Sequence, residues 1–217
     1  PEGGALLTVA HQNIAFKAQG SDGFSTEIEG FLFDANGDTL TAFRSEHDGM
    51  GVFTLNPTVG NSYYVIAKSG DGISKRFDLP AVEEKGITLS MTHYKKEIRY
   101  EIQKTEATEW PQKLFLIAHT RGKLVILQPV SIDRTFGRMN DSLFNAGITH
   151  FMLIDQQGNA LSERLVFIPD RNPHQWQILA DKPTYGKREK VSLQISAKDD
   201  NGTPVEGSFS ISITDRK

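Results

Sequence analysis

Three strand-like runs in this chain stop at the same device, Asp-x-x-Gly, and then resume: Asp34-Ala-Asn-Gly37 after Phe31-Leu-Phe, Asp155-Gln-Gln-Gly158 after Phe151-Met-Leu-Ile, and Asp199-Asp-Asn-Gly202 after Leu193-Gln-Ile-Ser-Ala-Lys. An Asp side chain can accept from backbone N–H groups just ahead of it, and Gly takes a positive φ without steric cost, so this pattern joins two antiparallel strands tightly. One such hairpin per module predicts a string of similar β-domains. It also assigns the most distinctive residues to architecture and leaves few over for chemistry.

The rest of the chain agrees with that reading. Asn13-Ile-Ala-Phe-Lys-Ala, Thr26 to Phe33, Thr39 to Arg44, Val52 to Leu55, Tyr63 to Lys68, Ser74 to Leu79 and Gly86 to Met91 read as about seven short strands in the first ~90 residues, the turn spacing of a β-sandwich. A second set follows from Thr92. Glu97 to Ile102, Lys113 to Ala118 and Lys123 to Leu127 are strands, with Arg121-Gly122 turning between the last two. Phe136 to Asn145 reads as a short helix or an irregular crossover, and Gly147 to Ile154 and Glu163 to Ile168 flank the second Asp-x-x-Gly turn. After a linker over 169–174 come three more strands, near 176–180, 189–197 and 207–214. The expected fold class is therefore all-β, tandem antiparallel sandwiches with domains at 1–92 and 93–174 and an incomplete third at 175–217. Three strands cannot close a sandwich, so the last segment is expected to pack on a neighbour or to self-associate.

Composition narrows the function classes. A hydrophobic share of 38% in 217 residues suits folded domains with modest cores, and a formal net charge of −3 with interspersed signs gives no basic track for a nucleic-acid backbone. The absence of Cys removes disulfides, thiolate metal sites, a Cys nucleophile and an internal thioester. No apolar run reaches the ~20 residues a membrane-spanning helix needs. The chain opens without Met, as an excised piece would, so a missing leader says nothing about compartment.

Several segments together resemble a family. Pro1-Glu-Gly-Gly with Asn13-Ile-Ala-Phe-Lys-Ala, His47-Asp-Gly-Met-Gly-Val-Phe with Pro57 and Tyr63-Tyr64, and Leu161-Ser-Glu-Arg-Leu-Val-Phe look like the macroglobulin-like domains of large Bacteroidetes envelope proteins, which are associated with carboxypeptidase-regulatory-like modules and TonB-dependent receptor plugs. The tail, from Lys182-Pro-Thr-Tyr-Gly-Lys-Arg-Glu-Lys-Val to Ser210-Ile-Ser-Ile-Thr-Asp215, is similar to the start of another such domain. The resemblance implies an Ig-like fold, a periplasmic or outer-membrane setting, and partners that are other domains of one longer chain or envelope proteins. Thioester trapping is not implied, for want of a Cys.

Candidate sites are few. Asp34, Asn36 and Asp38 place oxygen ligands at alternate positions, as a calcium loop begins, but Thr39 and Ser45 stand where such a loop needs Gly and Glu, so a plain turn is the stronger reading. His47-Asp48 reads as a shaped strand entry, and the other histidines show no ligand spacing, so no metal or cofactor is expected. No Gly-x-Ser-x-Gly or phosphate loop is present. Glu163-Arg164 reads as an ion pair on a strand face. Tyr63, Trp110 and Trp176 are candidate binding contacts, with core or linker packing the stronger use, and one Trp is expected to wedge between domains. The function expected is a non-enzymatic spacer and protein-binding scaffold of a cell-envelope protein. The alternative is a carbohydrate- or peptide-binding module of an outer-membrane nutrient-uptake system.

Overall fold

A computed structural model describes residues 1–171, 175–199, 201–206 and 210–212. Two compact units follow one another, 1–168 and 169–217. Among the described residues there is no α-helix, only one 3-10 turn at Asp141–Leu143, and no helix is long and apolar enough to cross a membrane.

The first half of unit 1 holds β1 (Leu6–Leu7), β2 (Gln12–Lys17), β3 (Ile28–Asp34), β4 (Thr39–Arg44), β5 (Met50–Leu55), β6 (Tyr63–Ser69), β7 (Ser74–Asp78) and β8 (Val82–Glu83). A four-stranded antiparallel sheet, β4-β3-β6-β7, faces the β2-β5 pair, and β1 runs parallel to β8 along the edge. Alternation explains the core. Ile14, Leu32, Phe43, Phe53, Leu55 and Ala67 point inward between the sheets, and Phe43 packs edge-on to Phe16 at 5.1 Å and against Phe53 at 5.2 Å. Gly30 is required here, because a Cβ would sit 2.2 Å from the Ile66 carbonyl oxygen.

The second half continues with β9 (Ile87–Tyr94), β10 (Glu97–Lys104), β11 (Leu114–Thr120), β12 (Lys123–Val130), β13 (Phe136–Asn140), β14 (Gly147–Asp155) and β15 (Ala160–Ile168). Here β13-β10-β9 faces β12-β11-β14-β15. Leu89, Ile98, Leu116, Phe151, Leu153 and Ile168 are completely buried between them. Burying side chains of this size stabilises the fold by roughly 1.5–3 kcal/mol each. The segment 136–145 resolves into an edge strand followed by the 3-10 turn, capped by the Asn140 side chain accepting from Ser142 N.

The two halves share one connectivity. Strands β2 to β7 and β10 to β15 pair in the same Greek-key order, with the first strand of each set beside the fourth and the third-second-fifth-sixth strands forming the opposite sheet. The seam lies at β9. Its Ile87, Leu89 and Met91 belong to the second core, although the strand reads in sequence as the last of the first set. Only residues 84–86 separate it from β8.

The second unit contains the antiparallel pair β16 (Gln175–Ala180) and β17 (Leu193–Lys198). Register puts Trp176, Ile178, Leu193 and Ile195 on one exposed apolar face. The strand expected near 189–197 begins at Leu193, because 189–192, after the turn at 187–188, take no strand conformation, and much of the one expected over 207–214 lies outside the described residues, as does part of the linker over 169–174.

Candidate functional site

The three Asp-x-x-Gly turns have the geometry their sequence implies. Asp34 Oδ1 accepts from Asn36 N and Asp38 N at 2.9 Å each, Asp155 Oδ1 from Gln157 N and Asn159 N at 2.9 and 2.8 Å, and Asp199 Oδ1 from Asn201 N and Thr203 N at 2.9 and 2.8 Å. Gly37, Gly158 and Gly202 take φ of 88°, 85° and 81°. The Asp34 carboxylate is thus occupied by its own turn, and its Oδ2 also accepts from the Asn36 amide. Asp155, bonded by the Asn159 side chain and then by backbone N–H groups, is held below the usual carboxylate range. Among the described residues no group of three or more His, Asp or Glu is arranged to hold a metal ion.

Tyr63 is a core residue. Its ring is buried at the start of β6, and its hydroxyl accepts from Thr58 N at 3.0 Å, the tyrosine-corner arrangement of Ig-like sandwiches. Its neighbour Tyr64 points outward but shows no bare ring face. Phe33 stacks on one side at 5.1 Å and the Arg76 guanidinium lies 3.6 Å from the ring centre, reaching in from the opposite strand. Trp110 packs against the second core, with Lys104 over its ring, and Trp176 stands half-exposed on β16. His47 and Asp48 pair at the surface in a tight turn, with Asp48 at φ 46°.

Glu163 and Arg164 do not pair with each other, because successive residues on a strand face opposite ways. Arg164 turns to Glu2, with its guanidinium 3.1 Å from Oε1, while Glu163 turns outward to His150. Glu2 sits at a buried junction that the sequence left unmarked. Its Oε1 also accepts from Met91 N and its Oε2 from the Asn13 amide, while its carbonyl accepts from Gln12 Nε2 and Thr88 Oγ1. Ser162 completes the latch by accepting from Leu89 N and donating to Gly3 O. Residues 1–3 therefore fasten the first sandwich to strands β9 and β15 of the second.

One exposed apolar surface of unit 1 is the outer face of β12-β11-β14-β15. Directly paired residues share a face, so register arranges it in rows: Leu127–Ile117–Met152–Glu163, then Leu124–His119–His150–Leu165, then Ile148–Phe167. Leu124, Leu127, Ile148, Leu165 and Phe167 are each more than half exposed. At roughly 100 Å² of bare apolar surface apiece, these five alone approach the largest patch an ordinary monomer shows. Within this face lies a polar chain. His150 Nδ1 is 3.2 Å from His119 Nε2, and His150 Nε2 is 2.9 Å from Glu163 Oε2. The histidines lie 31 positions apart, and only the β11–β14 register brings them together, so spacing within the sequence could not reveal them.

No family model matches the sequence, and no curated protein matches it. Among solved structures, the chain is similar to invasin, a bacterial integrin-binding protein, at 15% identity and a TM-score of 0.33 over 95% of this chain and 46% of that one. It is also similar to E. coli alpha-2-macroglobulin in its native conformation, at 13% identity and a TM-score of 0.29 over 93% of this chain and 17% of that one. The chain thus spans less than half the length of either.

Proposed function

We propose that this chain is a non-enzymatic structural and interaction segment of a larger cell-envelope protein, holding its neighbours at a fixed spacing and offering a sheet face to a protein partner. The observation that carries this reading is the latch at Glu2. Two sandwiches joined by a three-residue connection could pivot; tied at Glu2, Gly3, Leu89, Ser162 and Arg164 they behave as one rod. The apolar rows on the outer sheet support protein docking, since water gains by being displaced from them.

The envelope setting follows the resemblance to macroglobulin-like proteins, as does the incomplete third domain at 175–217. For the sandwiches at 1–92 and 93–174, we place the seam at Gly86, because β9 packs into the second core. The carbohydrate-binding alternative gains no aromatic platform from Tyr63, which is buried, or Tyr64, which is covered on both faces.

The absence of Cys allows a direct test. Spin labels placed by Asp38→Cys in the first sandwich and Ser131→Cys in the second should give one narrow distance distribution by pulsed dipolar spectroscopy, broadening when Glu2 is replaced by Ala. A broad distribution in the otherwise unaltered chain would overturn the spacer reading.

A further inference from the structure

We propose that His119 and His150 form a two-histidine site for an imidazole-preferring divalent metal ion such as Zn²⁺, with Glu163 as its positioning residue. The backbone supplies the first requirement. His119 and His150 are directly opposed partners on β11 and β14, so both imidazoles leave the same face of the sheet with their Cβ atoms neighbours.

The ring nitrogens supply the second. His119 Nε2 and His150 Nδ1 approach to 3.2 Å. With Zn–N distances of about 2.0–2.1 Å, that separation corresponds to an N–Zn–N angle of about 100°, close to tetrahedral. The two rings stand at 73° with centroids 5.0 Å apart. With the His150 proton on Nε2, the 3.2 Å contact is a hydrogen bond donated by His119 Nε2 to His150 Nδ1, and a bound ion takes the place of that proton, which passes to Nδ1 of His119.

Glu163 supplies the third. By accepting from His150 Nε2 at 2.9 Å it holds the proton on that nitrogen and leaves Nδ1 as the ligand atom. A carboxylate that orients a histidine through its far nitrogen is the usual outer support of a zinc-bound imidazole. His119 has no comparable tie. Its Nδ1 is buried without a hydrogen-bond partner, so nothing on that side competes for the ring, and among the described residues its side chain hydrogen-bonds to His150 alone. Two imidazoles with one nitrogen each converging and one anchored by a carboxylate suit Zn²⁺, Ni²⁺ or Cu²⁺ better than Mg²⁺ or Ca²⁺, which prefer oxygen. Water completes the coordination on the exposed side.

The test titrates Zn²⁺ alone into the whole chain at pH 7.5, read by calorimetry and by nitrogen-15 spectra of the histidine rings. One ion per chain is expected, with the ring signals of His119 and His150 moving together. Affinity should fall at least tenfold in His150→Ala and by about 10–100-fold in Glu163→Gln, an exposed and nearly isosteric change that leaves the sheet intact. His93→Ala should leave it unchanged. Absence of binding, binding that survives loss of both histidines, or shifts confined to other histidines would each overturn the proposal.

Discussion

Replacing Glu2 with Ala is the most informative single perturbation. In the native structure its carboxylate is almost fully buried, pairs with Arg164 at 3.1 Å, and accepts from Met91 N at 3.1 Å and the Asn13 amide at 2.9 Å. Removing one partner of a buried ion pair costs about 3–5 kcal/mol. Arg164 keeps about a third of its side chain in water, so the lower end applies to that part. The Met91 N–H then lies buried with no acceptor, adding about 1 kcal/mol or more. A loss of about 3–4 kcal/mol is expected in urea unfolding, together with a split of one cooperative transition into two as the sandwiches uncouple. The double-mutant cycle with Arg164→Ala should return a coupling of at least 1 kcal/mol. A Glu2→Ala change within 0.5 kcal/mol of the parent, still unfolding in one step, would refute the latch.

Other outcomes follow from the same geometry. Tyr63→Phe removes the acceptor of Thr58 N and should cost about 1–2 kcal/mol in thermal or urea melts, with no effect on partner binding. Gly30→Ala should prevent folding of the first sandwich, since its Cβ meets backbone at 2.2 Å, whereas Gly60→Ala, with open space but φ of 72°, should cost only about 1 kcal/mol by the same melts. Asp155 has a depressed folded-state pKa, so its turn is stabilised above the usual carboxylate range and loses that support as pH falls through the lowered value. Asn159→Ala should move the Asp155 midpoint upward in a carbon-13 carboxyl titration, and an unmoved midpoint would contradict the assignment. Leu165→Glu, on an exposed row, should leave the melt unchanged while reducing binding of a hydrophobic dye; unaltered dye binding would count against a continuous apolar face.

The strands were legible because alternation is a local property. Ile98 and Ile102 are buried on β10 between outward charged residues, as the charged and apolar order of Glu97 to Ile102 implies, and the Arg121-Gly122 turn joins β11 to β12 with both residues at positive φ. The Asp-x-x-Gly turns were legible as turns but not as markers of equivalent positions. The first joins β3 to β4, whereas the second joins β14 to β15, a different corner of the same Greek key. A turn that satisfies its own hydrogen bonds serves wherever two strands must reverse, so its recurrence counts hairpins and not modules. What stayed hidden depends on register and distance. Thr88 faces the latch while Ile87 and Leu89 face the second core, and no feature of 87–89 alone says which sandwich it completes. His119 with His150 and Glu2 with Arg164 are encounters that only the assembled fold creates.

The latch also orders events on the ribosome. Gly3 meets Ser162 across 159 positions of sequence, and Glu2 meets Arg164 across a slightly longer stretch. At roughly 5–20 residues per second, the first sandwich emerges many seconds before the strand that locks its opening residues. Until β15 leaves the exit tunnel, residues 1–3 lack Ser162 and Arg164 while their partners on β2 and β9 are already in place, and the first sandwich is not yet fastened to that strand. Completion of the rod is therefore set by the synthesis of its last strand, and a stall or truncation before residue 162 would release a first sandwich that folds but does not lock.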